Sequence, residues 1–147
     1  MAYVLVNIKD ESRTLDINNW GWRTLRILLM GADWKPMGAT GHWDIMTDKH
    51  LDVPLETESD RQNSYDGCCL QRVGDEDVQA MLDAARLGIS RCDTDPDGTF
   101  DVLQILQPAE LKAKEKTTET IAESVNTVRS LLQDFAEFAE HGAFFID

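Results

Sequence analysis

Lysine is scarce in this chain: six residues of 147, set against seventeen aspartates and ten glutamates. With arginine included there are 14 basic and 27 acidic side chains, a formal net charge of −13. A field of that sign repels phosphate backbones and anionic lipid, so neither a nucleic acid nor a membrane is expected as partner. Cysteine is sparse too. Cys68, Cys69 and Cys92 make an odd count without a CxxC, which argues against a disulfide framework and fits a reducing compartment. The histidines His42, His50 and His141 lie far from those thiols in sequence or lack ligand spacing to them, so no zinc site is expected. No apolar run reaches membrane-spanning length, and the opening MAYVLVNIKD lacks a basic region followed by a long apolar stretch. The expectation is a cytoplasmic protein.

Catalytic signatures are missing as well. There is no Walker loop, no GxGxxG, and no Ser-His-Asp or Cys-His set at recognisable spacing. With 27 carboxylates some pair will lie close by chance, so acid counts alone say nothing about acid–base catalysis. An enzyme with an unrecognised site is the third of three readings, behind two binding roles.

What is present suits one folded domain over residues 1–147: an apolar fraction of 42% and enough chain to bury a core. AYVLVNI, from Ala2 to Ile8, reads as a strand, and KDESRT as the turn after it. A helix capped by Asn18 or Asn19 should run to Met30, with Trp22, Leu25, Leu28 and Leu29 on one face and Gly31 ending it. A loop rich in Gly, Pro and Trp follows, then a polar stretch over 47–64 with at most a short strand near Leu51–Leu55, and a possible strand over Ser64–Val73. Asp75, Glu76 and Asp77 complement the start of a helix whose stripe is Val78, Met81, Leu82, Ala85 and Ile89, with a gap at Gly88. Ile121, Val125, Val128, Leu132, Phe135 and Ala139 mark the longest helix, with Thr120 and Glu123 able to form a capping box. Its heptads are too few to require a coiled coil, so monomer and homodimer both stay open. Gly142 stops it, and AFFID reads as a terminal strand or docked tail. The fold class is therefore α+β: a small antiparallel sheet with about three helices, the longest near the C-terminus.

The charge is uneven. Residues 1–50 carry six basic and six acidic side chains, whereas 51–100 carry four and twelve, and 101–147 four and nine. Within the acidic part, Asp93–Gln104 has a specific spacing. Asp93, Asp95, Asp97, Gly98, Thr99 and Asp101 fall on positions 1, 3, 5, 6, 7 and 9 of a twelve-residue calcium loop. Position 12 is Gln104 instead of the bidentate Glu, and Pro96 stiffens position 4. The segment is thus readable either as a solvated Asp/Gly/Pro turn or as a degenerate EF-hand-like site using Asp93, Asp95, Asp97, Thr99 and Asp101. Calcium is the one cofactor this leaves open.

Three segments together, NWGWRTLRILL with ADWKPMG, SYDGCC with DVQAMLDAA, and LQDFAEFAEHGAFFI, resemble a family of small uncharacterised bacterial proteins with a WGW helix, a GW-P-G turn and a phenylalanine-rich closing segment. The likeness covers about half the chain, departs from the family's Gly-Gly at His141-Gly142-Ala143, and carries over no catalytic residues. It implies by analogy an immunity or inhibitor protein that neutralises a basic nuclease. The first reading is accordingly an acidic module that binds a basic protein. Asp75, Glu76, Asp77, Asp93, Asp95, Asp97 and Asp101 would supply the charge, and Trp34 and Trp43 the aromatic contacts.

Overall fold

The first strand and the turn after it lead into a second strand, in a stretch between that turn and the first helix for which the sequence predicts no element. β1 (Ala2–Asn7) and β2 (Thr14–Asn18) form an antiparallel hairpin in which Tyr3 faces Ile17 and Leu5 faces Leu15. This computed structural model describes residues 2–36, 42–44, 49–51, 65, 71–106 and 116–147. The hairpin turn is tied by Asn7, whose Oδ1 accepts from the backbone N–H of Lys9 at 3.0 Å and of Asp10 at 2.8 Å.

β2 passes directly into helix α1 (Asn19–Gly31). Asn18 caps it, its side chain accepting from the Gly21 N–H at 2.6 Å. β3 (His42–Asp44) and β4 (Lys49–Leu51) pair as a two-stranded ribbon, and β5 (Gln71–Val73) is all of the 64–73 segment that is strand among the described residues. Helix α2 (Asp75–Thr94) follows, then α3 (Pro96–Leu106), α4 (Thr118–Ala139) and β6 (Phe144–Ile146). The main sheet runs β2-β1-β6-β5, antiparallel throughout, so the last strand lies at its centre. The α+β reading holds: a four-stranded antiparallel sheet with four helices among the described residues, the longest being α4.

Alternation along the strands turns Leu5, Ile17, Val73, Phe144 and Ile146 to the helices. Phe144 meets Trp22, Phe135 and Phe138 edge-on, with centroids 6.5, 6.2 and 5.3 Å away. Each such pair adds about 0.5–1.5 kcal/mol beyond the area it buries. α2 and α4 pack against each other along most of their length, and the gap at Gly88 is what permits it. A Cβ there would stand 2.8 Å from Leu132 Cδ1, so Gly88 admits the leucine knob. The capping box of α4 lies one turn earlier than the sequence suggested. Thr117 is the cap, and its backbone N–H donates to Thr120 Oγ1 at 2.9 Å. Gly142, at φ +95°, makes the reversal into β6.

Candidate functional site

α2 and the corner after it separate the acids that are adjacent in sequence. At a rise of about 1.5 Å per residue, Asp75 and Asp93 of α2 stand about 27 Å apart, so the predicted carboxylates form two groups and not one patch.

At the start of α2 most of the acid is structural. Asp75 Oδ1 accepts from the Ala143 N–H at 3.0 Å and fastens the turn that Gly142 makes. Asp77 is 2% exposed. It accepts from Trp34 Nε1 at 2.9 Å and from the Tyr65 hydroxyl. Trp34 and Tyr65 stack at 6.1 Å, and Trp22 Nε1 donates to the Tyr65 carbonyl at 2.8 Å. Two corrections follow for the expected contact surface. Asp77 and Trp34, itself 3% exposed, are bonded to one another inside the protein because a buried indole N–H and a buried carboxylate each need a partner. Only Glu76 of the three acids here is exposed without such a bond among the described residues. Trp43 lies in β3, and its side chain falls outside the described residues.

The 93–104 segment is not a loop. α2 continues to Thr94, Asp95 breaks it, and α3 starts at Pro96. The reason is in the same residues that suggested a turn. Asp95 is an N-cap, its Oδ1 accepting from the Gly98 N–H at 3.1 Å, and Pro96 occupies the first helical position, where its missing N–H costs nothing. Asp97 and Asp101 are therefore on successive turns of α3, with Thr99 between them donating its hydroxyl to the Asp95 carbonyl at 3.1 Å. Asp93 pairs with Arg129 of α4, and Asp101 with Lys116 at 3.0 Å. The bond to Asp101 raises the Lys116 pKa above the usual lysine range. Among the described residues no three His, Cys, Asp or Glu side chains are grouped to hold a metal ion.

This corner borders a half-open cleft of about 290 Å³ where the four helices meet. Ile27 and Leu28 of α1, Val102 of α3, and Val128 and Leu132 of α4 make it apolar, and Arg91, Asp95 and Thr99 stand on its polar side. Arg91 donates to the Gly31 carbonyl at 3.0 Å across the cleft. Val102, 41% exposed, and Leu87 on α2, 37% exposed, are large apolar side chains left in solvent. A second, polar groove of about 430 Å³ separates the hairpin turn from α4. There the Arg13 guanidinium lies 2.8 Å from His141 Nε2. Asp134 and Glu137 line the same groove.

Reading along the chain missed the cleft entirely. Its signal was faint: Gly31, Gly88 and Gly98 at helix positions, and Arg91 four residues before Asp95. No described helix is long and apolar enough to cross a membrane. Compared with protein-family models, curated proteins and solved structures, the chain matches none.

Proposed function

We propose that the protein is an acidic binding module that docks a basic protein, in the manner of an inhibitor or immunity protein neutralising a basic nuclease. The observation that supports it is a set of carboxylates fixed on the outer sides of rigid helices. Glu76, Asp97, Glu119, Glu123, Asp134 and Glu137 are exposed and form no ion pair among the described residues. Helical backbone holds such charges in place without further ordering on binding, and their field speeds encounter with a cationic surface. Asp93 and Asp101 are exposed as well, but Arg129 and Lys116 already neutralise them, so a partner gains less there. Leu87 and Val102 supply the exposed apolar contact that charge alone does not.

The test begins with the partner that the protein captures by cross-linking at low ionic strength, followed by stopped-flow association. Reversing charge at Glu76→Lys, Asp97→Lys and Glu137→Lys together should slow association about tenfold at low salt and flatten its salt dependence. An unchanged rate would overturn the reading.

A further inference from the structure

The cleft between α1, α2, α3 and α4 carries a second inference, independent of any protein partner. Its size, about 290 Å³, is at the lower end of ligand pockets and suits a molecule of amino-acid size, not a nucleotide. Its floor is aliphatic, from Ile27, Leu28, Val128 and Leu132. Its polar side holds opposite charges, Arg91 in the last turn of α2 and Asp95 at the corner just after it. Here, among the described residues, they form no ion pair with each other. Arg91 spends one N–H on the Gly31 carbonyl, and Asp95 spends one oxygen on the Gly98 N–H. Arg91 keeps further N–H donors, and Asp95 a second oxygen, beside an apolar hollow.

We infer that this cleft binds a free α-amino acid with an aliphatic or aromatic side chain: its carboxylate meets Arg91, its ammonium meets Asp95, and its side chain enters the hollow. A zwitterion satisfies both rim charges at once, whereas a simple carboxylate faces Asp95 and a simple amine faces Arg91. Net charge adds selectivity, because a protein at −13 repels an anion but not a neutral zwitterion. Glycine at position 31 keeps the hollow open. It lines the cleft, and a Cβ added there meets no atom within 4 Å, so a larger side chain at this position has open space to occupy.

The experiment is calorimetric titration of the whole chain with L-leucine and L-phenylalanine. 4-Methylpentanoate and 3-methylbutylamine serve as single-charge analogues, and glycine as the analogue without a side chain. The amino acids with large side chains should bind about tenfold or more tightly than any analogue. Gly31→Leu should abolish binding. Arg91→Gln and Asp95→Asn, the second of which keeps a capping oxygen for α3, should each weaken it about tenfold. Thermal melts check that each variant is folded, and if Gly31→Leu is not, the two charge-removing variants decide. No binding to the unaltered protein, equal binding of a single-charge analogue, or full binding by folded Gly31→Leu or by both charge-removing variants overturns the proposal.

Discussion

Two helices of this protein begin with acids, and the acids do opposite things. Asp75, Glu76 and Asp77 open α2; Asp95 and Asp97 open α3. Both starts obey the same electrostatics, since a carboxylate near a helix N-terminus meets the positive end of the macrodipole. Yet Asp77 is buried under Trp34 and Tyr65, while Asp95 and Asp97 stay in solvent. The difference comes from distant chain. α1 delivers Trp34 just after its C-terminus and a turn delivers Tyr65, so α2 starts against a pair of aromatic donors; α3 starts against nothing comparable among the described residues. An acidic stretch is thus no guide to an acidic surface until the donors around it are known.

The widest separation between the two starts should appear when the aromatic donors are removed. Trp34→Phe and Tyr65→Phe each keep a ring in the stack but delete a hydrogen bond to a buried carboxylate. Each should cost about 1–3 kcal/mol in urea unfolding; a cost near zero would mean that Asp77 does not need them. At the other start the effect is smaller. Asp95→Ala should cost about 1 kcal/mol through loss of the α3 cap, and Asp95→Asn only a few tenths. If both substitutions cost the same, the cap is not what Asp95 contributes. Smaller again is the response to calcium. With Asp95 and Asp97 in the first turn of a helix and Asp93 and Asp101 in ion pairs, millimolar calcium should raise the melting temperature no more than magnesium does at equal ionic strength. A calcium-specific rise that disappears in Asp93→Ala would restore the twelve-residue loop as a site.

The smallest effect concerns an acid held only by its own turn. Asp10 lies below the ordinary carboxylate range because the Ser12 hydroxyl and backbone N–H donate to it, with Arg13 helping. A depressed folded-state pKa stabilises the fold above the unfolded carboxyl's pKa, and that contribution is lost as pH falls through the folded one. Ser12→Ala should move the Asp10 carboxyl upward in an NMR titration. No movement would show that the hydroxyl is not the cause.

Much of the architecture was legible because local rules and tertiary packing agree there. β1, α1 with its Asn18 cap, the stripe of α2, the stripe of α4 and the closing strand all follow from periodicity and caps. β2 escaped because TLDIN offers only Leu15 and Ile17, too short an alternation to stand out before the hairpin partner is known. The 93–104 segment misled for a sharper reason. Asp-Pro-Asp-Gly is favourable both in a turn and at a helix start, and the choice was made by α4, whose Val125 and Val128 lie buried in the same body as Phe100 and Leu103 of α3. The candidate site was least legible of all. Cys92 on α2 is buried, and that burial raises its thiol pKa. The cleft is made by four helices meeting, and no spacing along the chain encodes where their gaps will fall.

The division between structural and surface acid is tested most directly by two neighbours, Glu76 and Asp77. Urea unfolding of Glu76→Gln and Asp77→Asn should give a change within about 0.5 kcal/mol for the first and a loss of about 1–3 kcal/mol for the second, because the amide cannot accept from both Trp34 and Tyr65 with the same geometry. Equal losses, or a larger one at Glu76, would contradict the account that burial by distant aromatics, and not position in the helix, decides what each acid does.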